Sequence, residues 1–213
     1  MIVRAVHLAT SMLASILRLG AGAPGAPIDA AEPPILYEFE GCPFCRIARE
    51  AVSEAGVALL VRPCPKGGKR FRPAVREQGG KAQFPYLVDP NTDQAMYESA
   101  DIARYLAKTY GGARPFIQWT GPVNHAASQL GVLVRFVAGM FTIKSREPER
   151  PLEFIGAERD PRARLVKERL CSMEIEYLWR PARGTPALND PNTGATISGA
   201  WTIRRYLQET YHA

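Results

Sequence analysis

From Ile2 to Leu19 apolar residues dominate, broken at steps of three and four by Arg4, His7, Ser11, Ser15 and Arg18. That spacing predicts a helix with one narrow polar stripe. A charged start and Ala-Gly-Ala at 21–23 also imitate a secretory signal, but Arg18 falls where a signal core tolerates charge poorly. The pattern therefore favours a structural helix, with a targeting segment as the alternative. Gly20 to Pro34, rich in Gly, Pro and Ala, reads as a linker. Ile35 to Phe39, bounded by Pro34 and Gly41, predicts a buried strand, and Arg46 to Ala55 carries Ile47, Ala48, Ala51 and Val52 at helical spacing. Val57 to Val61 predicts a second strand. Tyr86 to Val88 and Gln94 to Tyr97 flank a turn at Asp89-Pro90-Asn91-Thr92, after which Ser99 can cap a helix holding Ile102, Tyr105 and Leu106 on one face.

The same pattern is written twice. Asp89-Pro90-Asn91-Thr92 recurs as Asp190-Pro191-Asn192-Thr193, and Ile102, Tyr105, Leu106, Thr109 and Tyr110 lie over Ile203, Tyr206, Leu207, Thr210 and Tyr211. Upstream, Pro43, Arg46 and Glu50 match Pro161, Arg164 and Glu168, and Ser11 and Arg18 match Ser128 and Arg135. The expected architecture is α/β, with two tandem thioredoxin-like units, each preceded by an amphipathic helix. The boundaries are a helix and linker over 1–34, a first unit over 35–112, a linker helix within 113–150 and a second unit over 151–213.

Composition sets limits on this picture. The 213 residues are 46% hydrophobic and 23% charged, which excludes a wholly disordered or collagen-like chain. Arg4, Arg18 and Arg135 interrupt the most apolar stretches, so no membrane-spanning helix is expected. A net charge of +6 favours anionic ligands, but with no aromatic-basic stripe nucleic acid is not an expected partner. Four cysteines are too few for a disulfide scaffold in a chain this long, and of these Cys42 and Cys45 form a C-x-x-C pair, which points to redox chemistry and a cytoplasmic setting.

Cys42-Pro43-Phe44-Cys45 after a first strand, Phe84-Pro85 opening a third, and Glu98-Ser99 before the last helix together resemble glutaredoxins and the N-terminal domain of glutathione transferases. The doubled arrangement looks like the class of glutathione transferase-like proteins with two such domains in one chain. At the start of a helix, Cys42 would sit at the N-cap with Pro43 at the first helical position, so that the N–H groups of Phe44 and Cys45 favour its thiolate. Glu38 and Glu40 would oppose that shift. Cys42 then attacks a disulfide, and Cys45 or glutathione resolves the product. A half zinc site, a purely structural pair, or a cluster shared between two chains and glutathione are the alternatives.

The resemblance implies glutathione as cofactor, with site residues Phe44, Lys81, Gln83, Phe84, Pro85, Glu98 and Ser99. Pro85 would be cis, leaving the Phe84 backbone to pair with the cysteinyl amide of the tripeptide. Glu98 and Ser99 would hold its γ-glutamyl end, and Lys81 and Gln83 the glycine carboxylate. The basic residues Lys66, Lys69, Arg70, Arg72 and Arg76 are as well explained by a solvated helix face. Cys64 reads as an incidental thiol, Cys171 as a buried core thiol, and no histidine is given a role.

In the second unit Asp160-Pro161-Arg162-Ala163 replaces the cysteine motif, Gly199-Ala200 replaces Glu98-Ser99, and Pro181 to Pro186 leaves no room for the helix that fits between Pro63 and Pro85. Apolar sheet surface left bare there would need another cover. The apolar faces of the two linker helices, including Met12, Leu13, Ile16, Leu133, Phe136 and Val137, are expected to supply it, to pack together between the units, or to serve a dimer or a membrane surface. The preferred function is glutathione-linked thiol–disulfide oxidoreduction or deglutathionylation of proteins or small thiols. The alternatives are a glutathione transferase-like conjugating enzyme, disfavoured because no all-helical C-terminal domain follows, and a non-catalytic glutathione-binding or interaction protein.

Overall fold

The computed structural model describes residues 2–111, 121–135 and 138–213. Helix α1 (Ile2–Ile16) precedes β1 (Ile35–Glu38), α2 (Pro43–Ala55), β2 (Leu59–Pro63), α3 (Arg72–Gly79), β3 (Tyr86–Asp89), β4 (Gln94–Met96) and α4 (Ser99–Thr109). Helix α5 (Gly121–Val134) leads to β5 (Leu152–Ile155), α6 (Pro161–Ser172), β6 (Tyr177–Arg180), β7 (Ala187–Asp190), β8 (Ala195–Ser198) and α7 (Ala200–Tyr211). The second strand starts two residues later than its pattern predicts, because Val57 is used in a separate bridge to Ile28 of the linker. The expected boundary at 112–113 and the residues Phe136 and Val137 lie outside the described residues.

Among the described residues all eight strands form one mixed sheet in the order β4-β3-β1-β2-β6-β5-β7-β8. Within each half the first two strands are parallel and the hairpin strands antiparallel. The halves join where β2 meets β6 antiparallel, Leu59 opposite Trp179, Leu60 opposite Leu178 and Val61 opposite Tyr177. Each half thus covers the other's open edge, which would otherwise present unpaired backbone groups. Leu36, Leu59, Leu87, Phe154, Trp179 and Leu188 continue one core across the seam.

The repeated turn motif has a structural cause. Asp89 accepts hydrogen bonds from the hydroxyls of Tyr105 and Tyr110, both at 2.6 Å, and from the backbone and side-chain nitrogens of Asn91. Asp190 repeats this with Tyr206 at 2.6 Å, Tyr211 at 2.5 Å and Asn192. One carboxylate therefore pins hairpin to final helix in each half, and charge-assisted bonds of this kind are the stronger class.

Helices α1 and α5 correct the expected packing. Ser11 and Arg18, with their counterparts Ser128 and Arg135, are buried while Arg4 at the start of the stripe is exposed, and the helices lie on the α2 and α6 layer rather than on bare sheet. Arg18 makes a two-pronged ion pair with Glu50 of α2, and Arg135 makes the equivalent pair with Glu168 of α6. The serines cross over: Ser11 Oγ donates to the Pro161 carbonyl at 2.9 Å and Ser128 Oγ to the Pro43 carbonyl at 2.6 Å. Met12, Leu13, Ile16 and Leu133 point outward.

The face that lacks a helix is covered differently from the expectation. In the first half, Ile35 lies opposite Val88 on the side where α3 packs Val75 over Tyr37 and Tyr86. In the second half the corresponding pair is Glu153 and Asn189, hydrogen-bonded at 2.8 Å, with Arg180 donating to Glu153 at 2.5 Å. The sequence replaces apolar surface by hydrogen-bonded polar surface, so no substitute cover is required.

Candidate functional site

Strand β1 ends in Glu38 and delivers the chain to Cys42, the N-cap of α2, with Pro43 opening the helix where its missing N–H costs nothing. The Cys42 sulfur accepts from the Cys45 N–H at 3.3 Å. The Cys42 thiol is held below its ordinary value, first by a hydrogen bond from the Cys45 side chain, against the opposing effect of burial, then by the N–H groups of Cys45 and Phe44 and the Arg49 charge. Cys45 is driven well up, by burial first and then by its bond and charge interaction with Cys42 and by Glu38. The two thiols are thereby displaced in opposite directions. Cys42 keeps only 5% of its surface and Cys45 none, while Phe44 between them is 43% exposed.

Beneath the pair lies a cluster of buried charges. Arg49 contacts Glu38, Glu40 at 3.0 Å and Glu158 at 3.3 Å, and Lys167 contacts Glu158 and, at 3.5 Å, Glu40. Arg49 on α2 and Lys167 on α6 occupy equivalent places, and each reaches a carboxylate of the other half. Glu38 and Glu40, expected to oppose the Cys42 thiolate, are instead paired to the arginine that supports it. Burial pushes the Glu38 carboxyl up to about 7 despite Arg49, with Glu40 adding to the rise. Glu158 is lowered to about 2 because Lys167, Arg49 and Arg164 outweigh the cost of burying it.

The Phe84–Pro85 peptide is cis, as the resemblance implied, and among the described residues no other peptide is. Gln83 Nε2 donates to Glu98 Oε1 at 2.6 Å, which brings together two of the residues assigned to opposite ends of glutathione. The Lys81 ammonium lies over the Tyr97 ring at 4.8 Å. The helix start differs from expectation: Glu98 is the N-cap and the buried Ser99 the first helical residue, with no side-chain cap bond. Glu98 stands at φ 67, in the left-handed region, where the other half has Gly199 at φ 89. A non-glycine residue held there carries backbone strain, and such positions concentrate at ligand sites.

Sequence reasoning passed over four residues. Arg72 is no solvated helix residue: its guanidinium stacks 4.7 Å from the Phe84 ring and 5.9 Å from Phe39, its Nε donates to the Cys64 and Pro65 carbonyls, and it lines an open groove with Lys69, Pro73 and Arg76. Arg49 sits one helical turn beyond Cys45, a spacing that could have flagged it. Tyr97 holds the Lys81 carbonyl at 2.7 Å, and the His125 ring lies 5.3 Å from Phe44. Cys64 and Cys171 are buried with thiols pushed up by burial. Among the described residues no group of three or more His, Cys, Asp or Glu is placed to hold a metal ion.

In the second half Asp160 takes the place of Cys42 and its carboxylate accepts from the Arg162 N–H at 2.8 Å. No curated protein and no solved structure matches the chain. Residues 36–114 match the family described as glutathione S-transferase, N-terminal domain, which supports a thioredoxin-like domain of that type over this stretch and points to a function related to glutathione.

Proposed function

We propose that this chain is a glutathione-linked thiol–disulfide oxidoreductase, built from two copies of one thioredoxin-like unit of which the first alone retains a site. The observation that carries this reading is the opposite displacement of two thiols one helical turn apart, Cys42 toward thiolate and Cys45 away from it. The Cys42 thiolate attacks the glutathionyl sulfur of a mixed disulfide. The S–S bond breaks, the substrate leaves as a thiolate that takes a proton from water, and Cys42 becomes disulfide-bonded to glutathione. A second glutathione thiolate then attacks that glutathionyl sulfur, releasing glutathione disulfide and restoring Cys42. Attack by Cys45 on the Cys42 sulfur would release glutathione instead, leaving an internal disulfide for two further glutathiones to reduce. The complete burial of Cys45 favours the first route.

Around Cys42, the Phe84 backbone, Gln83, Glu98 and the start of α4 at Ser99 are the proposed glutathione contacts, with Phe44 and Lys81 at the margin. Turnover on a glutathionylated peptide tests the reading: Cys42→Ser abolishes it, and Cys45→Ser preserves most of it. A second reading, a glutathione-binding protein without turnover, is favoured by the 5% exposure of Cys42. It predicts that wild-type protein binds glutathione but does not reduce the peptide. Conjugation is supported less, because the second half of the chain continues the sheet rather than forming a helical domain.

A further inference from the structure

Helices α1 and α5 pack against each other and turn their polar residues inward, which leaves an outward surface made almost wholly of apolar side chains. Val6, Met12, Leu13, Ile16, Leu130 and Leu133 are among those it exposes, Ile16 to 65% and Leu133 to 66%. Away from these helices and the residues adjoining them, the exposed large apolar side chains among the described residues are Phe44 and Phe141 alone. The burial of Arg18, Ser11, Ser128 and Arg135 fixes this orientation, since turning either helix over would break the buried Arg18–Glu50 or Arg135–Glu168 pair. A helix layer that is polar within and apolar without has the opposite polarity to one that faces water.

The charge around this surface names its occupant. No Asp or Glu occurs in α1 or α5, whereas α1 carries Arg4 on its exposed side. At the α1 end, exposed Arg4 and half-buried Arg204 both stack on half-buried Trp201, at 5.5 and 5.6 Å. An apolar field edged by Trp and Arg suits the boundary between acyl chains and anionic headgroups. In a chain of net charge +6, the same cations work against docking a second copy. Among the described residues no helix is long and apolar enough to cross a membrane. We propose that the α1–α5 face lies on the surface of membranes containing anionic lipid, its leucine, isoleucine and methionine side chains inserted at the headgroup boundary.

Co-sedimentation of the full chain with vesicles of phosphatidylcholine, with and without phosphatidylglycerol, tests this. The expected result is binding that needs phosphatidylglycerol, weakens with salt, and drops about tenfold or more in Leu13→Glu/Leu133→Glu. Arg4→Glu should produce a smaller loss. Both leucines are about half exposed or more, so the fold should persist; far-UV circular dichroism checks this, and Leu13→Gln/Leu133→Gln serves if the carboxylates disturb it. Absence of vesicle binding, or binding that the paired substitutions leave intact, overturns the proposal. So does a dimer in sedimentation velocity that those substitutions dissociate, since the face would then belong to a second copy.

Discussion

The start of α2 and the start of α6 are built on the same plan and do opposite things with it. Each follows a buried strand, opens with proline and is held from behind by a serine of a linker helix. In the first half the capping atom is the Cys42 sulfur, the proline before β3 is cis, and Glu98 is held at positive φ. In the second the cap is the Asp160 carboxylate, already neutralised by Arg162, and Gly199 takes the positive φ without strain. The half that carries the cysteine pair also carries Glu98 at positive φ, where the other half has glycine. The lesson extends to α3, present where Ile35 and Val88 need cover and absent where Glu153 and Asn189 do not.

The largest effect should come from breaking the asymmetry at the cap. Cys42→Ser is expected to reduce peptide deglutathionylation by on the order of a thousandfold or more, since a hydroxyl supplies no thiolate. Asp160→Cys in that background should restore none of it, because the second half offers no counterpart of Glu98; recovered turnover would show the halves to be interchangeable. Next comes the charge cluster that both halves share. Lys167→Met leaves Glu158 and Glu40 short of a cation, and should cost about 3–5 kcal/mol in urea unfolding.

Glu38 gives a pH signature belonging to the first half. Its folded value of about 7 exceeds the ordinary 4.5, so the native state holds the proton more tightly than the unfolded chain does. That contribution is complete below about pH 4.5 and is lost as the pH rises through about 7, by on the order of 3 kcal/mol at ~1.4 kcal/mol per pH unit. Glu38→Gln should flatten the decline in melting temperature across that window, and an unchanged slope would assign it elsewhere. The smallest effect sharpens the comparison from the other side. Asp89→Asn and Asp190→Asn should each cost about 1–3 kcal/mol, and by similar amounts, because the two carboxylates accept the same set of bonds. Both carboxyls are held below the ordinary value by their tyrosine and asparagine donors, against the cost of burial, so the stability they add is lost as the pH falls into the acid range.

Strand, helix and hairpin order were legible along the chain because each rests on local periodicity and on turn residues that act within a few positions. The doubled Asp-Pro-Asn-Thr motif was legible because its carboxylate binds tyrosines at fixed spacing in the next helix. The Cys-Pro-Phe-Cys, Phe-Pro and Glu-Ser motifs spread over some sixty positions made the candidate site, and the resemblance implied the cis bond that the structure contains. Which side of an amphipathic helix faces inward could not be read in this way. Ser11 and Arg18 are buried because the Pro161 carbonyl and Glu50, both distant in sequence, pair with the serine hydroxyl and the guanidinium. Likewise Arg49 supports the Cys42 thiolate and ties the halves together only once Glu38, Glu40 and Glu158 converge on it. Local spacing determined the elements and the position of the cysteine pair at a helix start. Only the tertiary structure decided the partners of the buried charges, because removing an ion from water is tolerated only where opposite charge is brought to it from elsewhere in the chain.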